Sequence, residues 1–240
     1  MYLIGFIGFL GSTIGISIGG ILAMLASEFK QDIAMIYALC SGLIIGLIGL
    51  EIVPESLHQG QFIPFIMGIL AGGILYELID RVFDSFDILH VKTNGDGYIR
   101  TGIVLAISIA IHNFPMGMAF GAGQHGIMHN SILQTILLHN IPEGIALFTP
   151  FILAKLNWKA LLFFAVVISL PIAFGAILGS MIDMSYPNLW SVVTGLAVGI
   201  LTFVTIQEIF GAAIKRSSLL RSVMMAGIGF SVIWLYLNLF

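Results

Sequence analysis

A chain of 240 residues that is 59% hydrophobic and only 9% charged, with a mean hydropathy of +1.08, falls far below the roughly 25% charged content of soluble domains. Such a composition excludes a soluble globular protein, gives no support to a nucleic-acid partner, and describes an integral membrane protein surrounded by the lipid bilayer. The formal net charge of −3 says little, because in such a protein the placement of charges counts for more than their sum.

Apolar windows long enough to span a bilayer, about 20 residues each, fall at residues 3 to 26, 33 to 53, 62 to 83, 101 to 122, 131 to 154, 160 to 182, 190 to 213 and 219 to 239. They predict an all-α fold, a polytopic bundle of eight transmembrane helices in a single domain over residues 1–240. The first window, inside MYLIGFIGFLGSTIG, lacks a basic leader, so it is expected to be helix one rather than a cleaved signal peptide. Cys40 is the single cysteine; it has no partner for an intrachain disulfide and reads as a small buried apolar group. The 28 glycines and 18 phenylalanines suit helices that pack closely through small residues and turn aromatic bulk toward lipid.

The charges gather in the connections. Lys30 lies in the first, Arg81, Lys92 and Arg100 around the third, Lys155 and Lys159 in the fifth, and Lys215, Arg216 and Arg221 in the seventh. All nine basic residues fall on odd-numbered connections, the pattern produced when Lys and Arg stay on the cytoplasmic side. It predicts that both termini lie outside. The longest connection, Asp84 to Arg100, contains Asn94-Gly95 and Asp96-Gly97, turn dipeptides that argue for loop. His90 within it reads as solvated, because nothing around it has metal-ligand spacing.

Inside helices four and five a hexapeptide occurs twice: His112-Asn113-Phe114-Pro115-Met116-Gly117 and, 27 residues later, His139-Asn140-Ile141-Pro142-Glu143-Gly144. Imidazole, amide and carboxylate groups are costly in lipid and mark function by default. Positions i and i+4 share a helix face, so His112 aligns with Met116 and His139 with Glu143. From the turn between the helices, each histidine lies about ten residues into its helix, which at roughly 1.5 Å per residue places both near the bilayer midplane. Adjacent antiparallel helices would then gather His112, Met116, His139 and Glu143. Pro115 and Pro142 each remove an N–H and free a carbonyl one turn earlier, at Ile111 and Leu138. A broken helix pair at matched positions points to a transporter site. The bland alternative is an interhelical hydrogen bond from an isolated His or Asn; two copies at matched depth, one with a carboxylate, favour an ion site. These ligand types suit zinc and neighbouring divalent transition metals.

On these residues the chain resembles the ZIP (Zrt-, Irt-like protein) family of divalent-metal transporters, particularly its bacterial and GufA-like members. The resemblance covers the whole chain: eight helices, outside termini, a cytoplasmic loop after helix three, and the doubled signature. It implies passive or gradient-coupled movement of zinc, iron, manganese, cobalt or cadmium into the cytoplasm, through a central metal site lined by Pro-kinked helices four and five. The ion is then substrate rather than a permanently bound cofactor. The resemblance also implies the plasma (inner) membrane of a prokaryote and, often, a homodimer. The departures are informative. Many relatives have a carboxylate where Met116 stands, and a further acid in helix six, where this sequence reads Val167-Ile168-Ser169-Leu170-Pro171. A two-metal centre relies on those acids, so one site is expected here, from His112, His139 and Glu143. Met116 is either a fourth, soft ligand or a space-filling side chain. Asn113 and Asn140 remain as neutral oxygen donors that hydrogen-bond or coordinate transiently. One negative charge instead of several predicts weaker binding, or binding more dependent on the His and thioether ligands.

Glu51, Glu55 and His58 at the outer end of helix two, with His125 and His129 in the outer turn between helices four and five, either draw cations into a vestibule or are polar because they meet water. Glu77 and Glu208 either line an exit path or pair with Arg81 and Lys215; Gln207 adds a second polar group at that depth. Against a transporter stand two other readings. A membrane-embedded metalloenzyme needs an open coordination position and a general base, and neither a spare base beside the ligands nor an HExxH motif is present, so no enzyme is expected. A non-transporting sensor or scaffold is motivated by the missing carboxylates. The leading reading is a transporter in which one helix bundle moves against another. Gly15, Gly19, Gly20, Gly42, Gly46, Gly195 and Gly199 permit such sliding and equally permit static packing.

Overall fold

The computed structural model describes residues 2–28, 33–59, 61–85, 96–122, 128–182 and 186–239. Among them all the regular structure is helical and forms eight spans. These are α1 (Tyr2–Glu28), α2 (Ile33–Leu47, continuing through a π-helical turn at Ile48–Ile52 into Val53–Gln59), α3 (Phe62–Ser85) and α4 (Asp96–Ala122). They continue with α5 (Met128–Leu153), α6 (Trp158–Gly179), α7 (Pro187–Val204, continuing through a π-helical turn at Thr205–Phe210 into Gly211–Arg216) and α8 (Leu219–Leu239). Each is long and apolar enough to cross a bilayer, so the chain is an all-α polytopic membrane protein.

Two local features depart from expectation. The helix α4 starts at Asp96, inside the stretch read as loop, because an aspartate is as favourable at a helix start as in a turn. His90, Lys92 and Asn94-Gly95 lie outside the described residues, as does Lys30. The doubled motif does not break its helices: α4 continues through Pro115 and α5 through Pro142 and Pro150. The departures from α geometry sit instead in α2 and α7, as the two π-helical turns.

The helices pack as two groups. In one, α1 lies along α5 and α6, and α4 lies along α6 and α5; in the other, α3 lies along α7 and α2 along α8. Between the groups, α4 meets α7 and α5 meets α2. Burial follows: two-thirds of the α5 window is inside the protein (67%), against 17% for α8, so α5 is central and α8 peripheral.

Glycine explains the tightness within each group. A Cβ at Gly42 would run into the Ala226 carbonyl of α8, one at Gly199 into the Ile69 carbonyl of α3, and one at Gly121 into the Ala176 carbonyl of α6. Gly15 and Gly19 face the backbone of α5 in the same way. Every such backbone approach joins helices of one group, so these glycines serve fixed packing. Across the seam an apolar crevice of about 520 Å³ opens between Phe114, Pro115 and Met118 on one side and Leu75, Val192 and Leu196 on the other.

The same contacts reveal an internal repeat. Gly42 against Ala226 has its counterpart in Gly199 against Ile69, and Gly229 against Leu39 in Gly72 against Leu196; residues 39, 42, 69 and 72 map onto 196, 199, 226 and 229 by adding 157. Gly19 against Ile141 likewise matches Gly175 against Phe114, and Gly144 against Ile16 matches Gly117 against Ile172. Thus α1, α2 and α3 correspond to α6, α7 and α8, while α4 and α5 exchange. The π-helical turn at Ile48–Ile52 maps onto residues 205–209, where the second begins. Equivalent helices are an odd number of crossings apart, so the repeats have opposite orientation, an arrangement that transporters use around a central site.

Candidate metal centre

The exchange of α4 and α5 brings the two hexapeptides face to face. One donor atom from each of His112, His139 and Glu143 lies within 4.8 Å of the others, and all three residues are fully buried. His112 Nε2 is 3.5 Å from Glu143 Oε1, and the imidazole rings of His112 and His139 meet edge-on with centres 5.8 Å apart. Ligands about 2 Å from a tetrahedral zinc stand roughly 3.3 Å from one another, so a small contraction would seat one ion among them.

The tautomer of His112 follows from its other nitrogen. Nδ1 lies 3.3 Å from the Ala197 carbonyl of α7, an acceptor only, so Nδ1–H donates and Nε2 presents a lone pair to the site. Among the described residues neither Nε2 of His112 nor either oxygen of Glu143 has a hydrogen-bond partner. Buried polar atoms are seldom left so, and a bound cation would satisfy all three at once.

Both asparagine side chains are engaged in hydrogen bonds, Asn113 to another helix and Asn140 first to its own. Asn113 Nδ2 donates to the Ile168 carbonyl of α6 at 3.0 Å, and Asn140 Nδ2 donates to the Ile136 carbonyl at 2.6 Å. Ser12 Oγ lies 3.2 Å from Asn140 Oδ1 and 3.0 Å from Ser169 Oγ, and Ser169 donates in turn to Ala165. This buried, neutral network ties α1, α5 and α6 together. Ser12 and Ser169 carried no signal in the sequence, since hydroxyls inside apolar spans are common. Met116 is buried, one turn from His112.

The flanking residues separate. Glu77 pairs with Arg81 at 3.0 Å on the exposed face of α3, the helix-surface alternative. Glu208 accepts from Tyr76 at 3.2 Å and, with Gln207 and Lys215, lines a cavity of about 540 Å³ at the end of the bundle where the basic residues collect. Glu51 falls in the π-helical turn of α2, while Glu55 and His58 are exposed beyond it. His125 and the side chain of His129 lie outside the described residues. Cys40 is free and buried.

The family model described as ZIP Zinc transporter matches residues 87–236. The zinc transporter ZupT of Chlorobium chlorochromatii (strain CaD3) is 28% identical over 221 residues, covering 82% of each chain. A candidate zinc transporter of Arabidopsis thaliana is 25% identical over 191 residues, which cover 75% of this chain and 30% of the plant protein; the match thus spans under a third of that relative. With more than half its length matched by the family model, and with eight membrane-crossing helices, the chain belongs to the ZIP zinc transporter family, a family of transporters and not of enzymes.

Proposed function

We propose that this protein carries zinc, and with lower preference iron, manganese, cobalt or cadmium, into the cytoplasm through a single midplane site made by His112, His139 and Glu143. The observation that carries the reading is the convergence of three ligand-type side chains, from two antiparallel helices, in a fully buried place. Two imidazoles and one carboxylate match zinc in donor type and number, with a fourth position left for water or for Met116. Asn113 donates to Ile168 of α6 and Asn140 accepts from Ser12 of α1, which supports one ion rather than two.

The placement of all nine basic residues on odd-numbered connections supports a cytoplasmic location for that end and outside termini, in the inner membrane of a prokaryote. Access alternates by movement of the group α1, α4, α5 and α6 against the group α2, α3, α7 and α8. Among the described residues no glycine-mediated backbone contact crosses the seam between the groups, which supports sliding there. Uptake into proteoliposomes tests the reading. Saturable zinc entry abolished by His139→Ala is expected; zinc bound at the motif without flux would overturn it in favour of a sensor.

A further inference from the structure

At the basic end, two polar contacts cross the seam. Arg100 Nη2 of α4 lies 3.7 Å from Asp80 Oδ1 of α3. Arg216 of α7 donates to the Tyr98 hydroxyl of α4 at 3.2 Å, with its guanidinium 4.9 Å from the centre of that ring. Both link α4, in the group that holds the metal ligands, to the opposite group. The Tyr76–Glu208 hydrogen bond, by contrast, joins α3 to α7 within one group and would persist through any movement of the two bodies. Asp80, Arg100 and Arg216 also line the cavity at this end, together with Glu208. Further along α7 toward the site lies Thr205, fully buried, its hydroxyl without a hydrogen-bond partner.

The inverted repeat allows the two ends of the path to be compared residue by residue. Under the correspondence set by the glycine contacts, Asp80 maps to Leu237 and Arg216 to Gln59. Neither Leu nor Gln carries the charge of its counterpart, so the equivalent positions cannot form the same ion pair or guanidinium–ring contact.

We propose that Arg100–Asp80 and Arg216–Tyr98 form a clasp that keeps the basic ends of the two groups together, so that the resting protein opens preferentially at the opposite end. The clasp rests on the reading that the groups move, and it must part before an ion can leave toward the basic end. Half-exposed pairs of this kind are weak singly, but a shift on the order of fivefold to thirtyfold between two conformers is within reach of one or two such contacts and is enough to decide which end is open at rest.

The experiment measures opening without requiring transport. Thr205→Cys, made in a Cys40→Ala chain, is labelled in inside-out vesicles with a membrane-impermeant maleimide applied from the basic side. The combination of Asp80→Asn and Tyr98→Phe is expected to raise the labelling rate by about fivefold or more, and Arg216→Gln to raise it independently. The exchanged pair Asp80→Arg with Arg100→Asp is expected to return the rate toward that of the unexchanged chain, while either single change leaves it raised. Labelling that ignores all of these variants, or an exchanged pair that labels as fast as its single members, would overturn the clasp. Zinc uptake measured on the same preparations separates the two ideas: clasp-dependent labelling without uptake keeps the clasp and removes the transporter reading, whereas uptake with clasp-independent labelling does the reverse.

Discussion

His112 Nε2 and Glu143 Oε1 stand 3.5 Å apart on different helices, and neither atom has a hydrogen bond among the described residues. His112 is held from behind by the Ala197 carbonyl, so this imidazole is oriented before any ion arrives. Replacing Glu143 by Gln keeps the shape and removes the charge. Because loss of even an indirect support for a metal ligand costs about 10–100-fold, Glu143→Gln is expected to lower zinc uptake by about 100-fold or more, read as the initial rate of radioactive zinc entry into proteoliposomes.

Met116 occupies the place in the first motif that Glu143 occupies in the second. Met116→Glu would set a second carboxylate one turn from His112. Tighter zinc binding, by about tenfold or more, is the expected result, since a second carboxylate adds charge attraction for a borderline divalent ion that accepts oxygen ligands. Titration calorimetry on the purified protein, with zinc and cadmium in parallel, reads the change and its metal dependence.

The neutral network gives a contrasting expectation. Ser12→Ala removes a hydrogen-bond partner of Asn140 and should cost roughly 0.6–2 kcal/mol, the range for interhelical hydrogen bonds in membranes. Zinc affinity should stay within about twofold, because the serine supports helix packing and not the ion. A large loss of affinity with unchanged melting temperature would instead place Asn140 among the ligands.

Glycine positions divide sharply. Gly42→Leu and Gly199→Leu would drive a side chain into a facing backbone carbonyl and are expected to destabilise the protein by about 1–3 kcal/mol or more. Gly227 and Gly49 face open space, so Ala there should be neutral or should stabilise the helix by about 0.5–1 kcal/mol. Thermal unfolding in detergent distinguishes the two classes.

Much of this architecture is legible in the amino-acid sequence. The spans follow from runs of apolar residues, since lipid tolerates little else, and His112, His139 and Glu143 follow from spacing and depth. What the sequence hides is carried by the backbone. The Ala197 carbonyl that orients His112 has no side-chain signature. The repeat is visible as matching close approaches, while side chains such as Ala226 and Ile69 differ. The π-helical turns around Glu51 and Glu208 leave no periodic trace in segments that are apolar on every face. Asp96-Gly97 misled because the same dipeptide chemistry serves a turn and a helix start.

Among the described buried residues Glu143 is the lone carboxylate, and this gives the carrier an electrical character. On the proposed single-site reading, zinc held by one carboxylate and two neutral imidazoles gives the loaded site one positive charge. A membrane potential, negative inside, acts on each elementary charge with about 2.3 kcal/mol per 100 mV. It therefore draws the loaded site inward. A second buried carboxylate would leave the loaded site neutral and remove that pull.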